Sequence, residues 1–310
     1  MTETLKFTEI NKIPCLTWNW LKMNHASLEL DADSQIISEK KEINAVKKGE
    51  IIHIPLTFED GKRYEHEHII TAEEGAEVTV ILDYTSLPKA AGFSSIKTQL
   101  IAKPYSKIHL VKVQLLGENF IQIDDTTGVC DESAKIEVTQ IELGASKVYA
   151  QVKNELNGYS SKFKSDTAYI CKSTQLLDMN YLVNHYGPKT DTKMLVKGVV
   201  DDNALKVYRG TIDFKNGCTD ATGDEQEETL LMSKNAVNKS IPMILCDEEN
   251  VSGTHGATLG RLGSDELFYM QSRGISEEEA KKMMMKAKIL SVASLIPNED
   301  VRSKIEAFLN

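Results

Sequence analysis

The sequence has no Cys-x-x-Cys pair. Its cysteines, Cys15, Cys130, Cys171, Cys218 and Cys246, are odd in number and widely spaced, so neither a zinc ribbon nor a thioredoxin-type dithiol fits. It also has no run approaching the roughly 18 consecutive apolar residues of a membrane helix. Its first residues, Met1-Thr-Glu-Thr-Leu-Lys-Phe7, are not a positive segment followed by an apolar one. The expectation is a cytoplasmic protein with reduced thiols. There is no G-x-x-x-x-G-K-[ST], no G-x-G-x-x-G after a strand and no G-x-S-x-G. These absences remove the phosphate-binding loop, the dinucleotide turn and the nucleophile elbow, so no nucleotide is expected on this chain. Positive charge is in deficit, with 36 Lys and Arg against 46 Asp and Glu, for a net charge of −10. That balance argues against nonspecific binding to nucleic acid or to an anionic membrane.

What is present is strand after strand. Residues 1–50 are mixed, and Lys6–Ile13 and Ala32–Val46 are predicted as short helices or loops. From Glu50 the texture changes. Ile51–Phe58 reads as a strand and Asp60-Gly61 as a turn. Tyr64–Thr71, Ala76–Tyr84, Ser95–Ala102, Lys107–Leu116, Lys135–Leu143 and Lys147–Lys153 follow, most of them alternating apolar with polar residues. A weak repeat runs through Ala134-Lys-Ile-Glu-Val138, Ser146-Lys-Val-Tyr-Ala150 and Ser161-Lys-Phe163, at offsets of 12 and 15 residues. Such spacing suits a solenoid or a β-sandwich. The scarcity of Asn-Gly hairpin turns favours a parallel β-helix. After Gly274 the pattern turns helical. Ser276–Leu290 has an N-cap serine with Glu279 three residues on, acidic residues at its start and lysines closing it. Val301–Leu309 follows, capped by Asn298. The expected organisation is a mixed segment over 1–50, a β core over 51–272 and a helical segment over 273–310 that packs on the core or serves as a docking handle.

Three groups of residues carry candidate chemistry. His66-Glu-His68 places two imidazoles on one face of a strand. With Gly61 and Glu73 it resembles the first motif of the cupin metal-binding barrels, although the spacing from glycine is off by one and no second motif is found. A cupin-like metal-binding enzyme using His66, His68 and Glu73 is therefore the alternative reading. Two histidines on the exposed face of an edge strand are the plainer one. Asp220–Glu228 is an acidic run, expected to be a solvated loop or face. Cys246 and His255, nine residues apart, are a soft thiolate and an imidazole suited to iron, copper or zinc. Gly253, Gly256 and Gly260 around them permit close backbone approach. By spacing alone, His255 as a turn residue and Cys246 as core is the stronger reading.

Residues 240–275 alter that balance. Pro242, eight residues, Val251, then H-G-A-T-x-G from His255 and L-F-Y-x-x-S-R-G-I from Leu267 resemble the C-terminal signature of the SufB/SufD family of iron–sulfur cluster assembly proteins. Val207-Tyr-Arg-Gly-Thr-Ile212 and Glu228-Thr-Leu-Leu-Met-Ser233 resemble further family blocks. The strong resemblance spans about residues 195–290. It implies a right-handed parallel β-helix with helical ends and no ATPase of its own. It also implies a SufC-like ABC-type ATPase bound at the C-terminal helices, and a SufB-like paralogue, or a second copy of this chain, as the other protomer. His255 falls on the histidine of the H-G-A-T block, and Thr254 and Gly256 beside it are SufD-like. Cys246 stands where SufB-type members carry an interface cysteine. Both are expected at a protomer interface, as ligands to a transient iron–sulfur cluster or to iron. Cys130, Cys171 and Cys218 are unranked candidates for a sulfur-receiving cysteine.

Overall fold

The computed structural model describes residues 4–17, 19–31, 35–261 and 264–310, without the side chains of 264–266. Two strands, β1 (Thr4–Ile10) and β2 (Ala26–Asp31), form an antiparallel ribbon. Sixteen more strands wind into a parallel β-solenoid of two eight-stranded sheets. The odd-numbered sheet holds β3 (Ile36–Ala45), β5 (Lys62–Ala72), β7 (Ala91–Ala102), β9 (Asn119–Cys130), β11 (Lys147–Leu156), β13 (Leu176–His185), β15 (Leu205–Phe214) and β17 (Val237–Cys246). The even-numbered sheet holds β4 (Glu50–Phe58), β6 (Glu77–Ser86), β8 (Lys107–Leu115), β10 (Lys135–Glu142), β12 (Lys162–Cys171), β14 (Asp191–Val200), β16 (Ala221–Leu231) and β18 (Val251–Arg261). Each strand pairs in parallel with the strand two places on. The sandwich reading is thereby excluded. The weak repeat marks the starts of β10, β11 and β12, so its period is the half coil.

Alternation builds the coil. Inward residues stack in columns, as in Ala45, Ala72, Ala102, Cys130, Leu156, His185, Phe214 and Cys246, each in register with the next. The apolar columns form one core along the axis. At one corner the chain turns through the left-handed region. The backbone N–H groups of Gly75, Tyr105, Ser133, Ser160, Lys189 and Asp220 donate to Pro104, Glu132, Tyr159, Pro188, Thr219 and Asn250, each on the next coil. Five of these six are not glycine, yet hold φ of 55–61°. The inter-coil hydrogen bond at each corner offsets the strain.

Two elements clothe the solenoid. The N-terminal segment, expected to hold short helices or loops, contributes strands. β1 covers the Lys6–Ile13 stretch only to Ile10, and β3 lies within Ala32–Val46, of which 32–34 lie outside the described residues. The ribbon and the chain between its strands lie on the outer face of the odd sheet. Phe7 meets Phe93 at 5.5 Å between ring centroids. The Asn11 amide donates to the Asp178 carboxylate, and Arg209 donates from Nε to the Met23 carbonyl at 2.6 Å while pairing with Asp178.

At the other end stand α1 (Ser264–Ser272), α2 (Glu277–Ala293) and α3 (Glu299–Leu309). Ser276 and Glu279 form the expected capping box, and Asn298 caps α3. The last turn of α2 holds no basic residue, contrary to expectation, because Lys281, Lys282, Lys286 and Lys288 lie mid-helix. Both α2 and α3 pack on the even sheet, where outward positions are apolar. Ile289, Val292 and Ile305 meet Val111, Val113 and Ile141. Lys304 pairs with Asp83, a carboxylate with no exposure. No helix among the described residues is long and apolar enough to cross a membrane.

Candidate functional site

The terminal coil, β17 and β18, carries both Cys246 and His255. Cys246 is the last rung of the column that begins at Ala45. It stacks on Phe214, is exposed, and donates its thiol to the Glu248 carbonyl at 3.0 Å. His255 lies in the middle of strand β18, not in a turn. It is in register with Glu225 and therefore shares the inward face of its strand. Both residues point toward the solenoid axis, yet His255 is exposed because no described strand covers this coil.

Register sets their separation. Gly210 faces Glu225 across the preceding coil, since a Cβ on Gly210 would fall 1.9 Å from the glutamate oxygen. One coil further, the same positions are Pro242 and His255. Cys246 is four residues beyond Pro242, or about 13 Å at a strand rise of about 3.3 Å per residue. Within one chain the thiol and the imidazole occupy one open face without sharing a coordination sphere. Among the described residues, no three His, Cys, Asp or Glu side chains converge on one metal position.

The site has a floor that pattern reading missed. The acidic run of 220–228, expected as a solvated loop or face, lies in strand β16 from residue 221 on; Asp224, Gln226 and Glu228 hold its outer, part-exposed face, and two carboxylates point the other way. Glu225 and Glu227 alternate inward and are buried. Glu227 pairs with the buried Lys206 and accepts from Ser240 at 2.8 Å and Thr229 at 2.9 Å. Glu225 has one carboxylate oxygen without a partner, and burial pushes its pKa up to about 8. A carboxyl that holds its proton near neutral pH lies directly beneath His255. The signal was available: Glu225 and Glu227 are two residues apart in a run that precedes Thr-Leu-Leu, and period two makes them one face.

The remaining candidates separate. His66 and His68 are not on an exposed edge face. They point into the solenoid from β5, with exposures of 6% and 1%. Glu73 follows β5 at a corner, where its N–H donates to Ala45. The coils build two sheets rather than a cupin barrel. Cys130, Cys171 and Cys218 are buried, and burial pushes the first two thiols up to about 12 and the third to about 11. Such thiols are poor nucleophiles at neutral pH. Cys246 is exposed and Cys15 partly so.

The family described as SUF system FeS cluster assembly, SufBD core domain, matches residues 56–288. The iron–sulfur cluster assembly protein SufD of Bacillus subtilis is 24% identical over 240 residues, covering 76% of this chain and 55% of that protein. SufD of Escherichia coli is 24% identical over 274 residues, covering 85% and 64%. SufB of Bacillus subtilis is 24% identical over 260 residues, covering 82% and 56%. The chain thus spans between half and two thirds of the length of these curated relatives.

Proposed function

The chain belongs to the SufBD core family of the SUF system for iron–sulfur cluster assembly, and from that premise we propose that it is a non-ATPase scaffold subunit. In this reading a nascent cluster, the cargo of the system, forms where the terminal coil meets a second protomer. The observation that carries the reading is the contrast between two of the solenoid's four edge strands, β3 and β18; β4 carries ionic charge only at Glu50 and β17 only at Lys239. Strand β3 opens one end with Glu39, Lys40, Lys41 and Glu42 in its middle, charges that guard an edge against pairing. Strand β18 closes the other with Ser, Gly, Thr, His and Ala, and its one ionic residue, Arg261, stands last. An unguarded edge is suited to a partner strand, either from a SufB-like paralogue or from a second copy of this chain.

Such docking would bring the partner's groups over His255 and Cys246. Their offset of about 13 Å along the strands, with the solenoid interior also between them, means that each would complete its ligand set from across the interface. Neutral imidazole and thiolate are both good ligands for iron. Glu225 would serve as a nearby proton store, since cluster ligands bind deprotonated. A SufC-like ABC ATPase would bind the C-terminal helices, where Phe268, Tyr269 and Met283 are exposed. Its rearrangement on nucleotide turnover would shift the scaffold between closed and open interfaces.

Anaerobic iron and sulfide reconstitution of the chain, co-expressed with its ATPase and SufB-like neighbours, tests this. Wild type is compared with His255→Ala and Cys246→Ser by visible absorbance and bound iron. Loss of cluster in both variants with the assembly intact is expected. Full retention in both would move the chemistry to the partner chain.

A further inference from the structure

Strand β1 pairs along only one of its two edges. Among the described residues its register partners all lie in β2, and the ribbon is a two-stranded sheet. Phe7 stands over Phe93 of β7, and Asn11 bonds Asp178 of β13. Four residues of extended chain, about 13 Å, thus cover three strand spacings, about 14 Å. β1 therefore runs across the odd sheet, along the solenoid axis.

Beside β1 lies an open groove of about 930 Å³. One wall is the consecutive run from Lys6 to Asn11, and no described residue of β2 lines it. Successive residues of a strand point to opposite faces, so a wall that includes them all is the strand's edge. The floor comes from β3, β5, β7, β9 and β11. Those strands span about 19 Å, the length of about six extended residues. The groove therefore has the length of a strand and an unused row of backbone N–H and C=O groups along its side.

The floor selects the charge of an occupant. Lys40, Glu67, Lys97 and Asp125 follow one another in register, and Glu65 lies two residues before Glu67. Lys40 pairs with Glu42 at 3.2 Å, and Lys6 on the wall pairs with Glu29 at 2.9 Å. Asp125 accepts only from the Gln151 amide, at 2.9 Å. Among the described residues, Glu65, Glu67 and Lys97 have no ion-pair or hydrogen-bond partner. Three carboxylates against one free lysine leave the floor negative. Exposed ion pairs are each weak, so backbone pairing would supply the affinity and the carboxylates the sign. A second copy of this chain fits poorly, since it would bring a net charge of −10 to an acidic groove.

We propose that the groove receives an extended, basic peptide segment of a partner protein, added to β1 as a third strand. The inference is independent of cluster assembly.

The probe is a fluorescein-labelled octapeptide of alternating lysine and threonine. It is titrated against the full chain at physiological ionic strength by fluorescence anisotropy, and amide hydrogen exchange is read over β1. Saturable binding with slowed exchange in β1 is expected. The glutamate–threonine counterpart should not bind. Methylating alternate backbone nitrogens of the probe should weaken binding about tenfold. Glu65→Gln with Glu67→Gln should weaken it several-fold, and both side chains are exposed, so the fold is kept. Absence of saturable binding would overturn the proposal. So would binding indifferent to the methylation or to the two substitutions, since the attraction would then be general charge. A dimer of the chain that the probe disperses would assign the edge to a second copy instead.

Discussion

Glu142 shows how a single buried side chain sets a pH response. Its carboxyl lies inside the solenoid, where burial and the Asp124 charge push its pKa up to about 8. Glu225 is pushed to about 8 by burial as well. Between the ordinary carboxylate range and pH 8 the folded state holds these protons and the unfolded chain has released them. Folding stability therefore falls as pH rises through that window and levels off above it. His68 and His185 act oppositely, since burial lowers both to about 4. Their contribution rises with pH from 4 to the usual imidazole value near 6.5 and is then complete. Above 6.5, of these four groups, only the two carboxyls still contribute a slope. Urea midpoints at pH 6.5 and 8 should therefore decline in the wild type and decline less in Glu142→Gln. An unchanged decline would show that Glu142 does not hold the proton. Little of this was legible in the sequence. Glu142, Glu225 and Lys206 are charged residues in alternating strands, and alternation alone does not say which face is dry. His255 was found through its flanking motif. Its strand position and the Glu225 beneath it required the register of β16 and β18.

Among the elements, α2 has the clearest stake in the solenoid. Ile289 is fully buried against outward-facing Val111, Val113 and Ile141. Ile289→Ala should cost about 2–5 kcal/mol of docking energy. Hydrogen exchange should then lose protection across α2 and α3 while strands β5 to β15 keep theirs. Equal loss everywhere would mean that the helices and coils unfold as one unit. The helices were legible because capping residues and polarity change at Ser276 are local signals. So were β4 to β8, β10 and β11, though not β9 or the later strands as such. The β1–β2 ribbon was not, since its contacts join residues such as Asn11 and Asp178, which lie 167 positions apart. Residues 220–228 were expected as a solvated loop or face, and only the outer face of β16 is that, because the run's charge masked its period of two. Arg209 and Gly210, quoted in a family block, have separate structural tasks. One fastens the N-terminal segment, and the other leaves room for the Glu225 carboxylate.

At the scale of the whole molecule, parallel pairing makes each coil answer only to its neighbours. The corner that runs from Gly75 to Asp220 repeats one N–H to carbonyl link per coil. The chain is in effect a stack of washers, riveted to the next at one corner and zipped along two sides. Under tension applied at residue 261, with the C-terminal helices cut away, the β18 coil has no clamp above it and should yield first. Rupture should proceed by whole coils. Lys162, Asp191 and Thr222 are successive register partners, so each step would free about 30 residues, or about 100 Å of contour at about 3.4 Å per residue. Optical-tweezer traces with a single large rip would contradict this. A staircase would mean that the face we propose for a partner strand is also the one most easily peeled open by a pulling subunit.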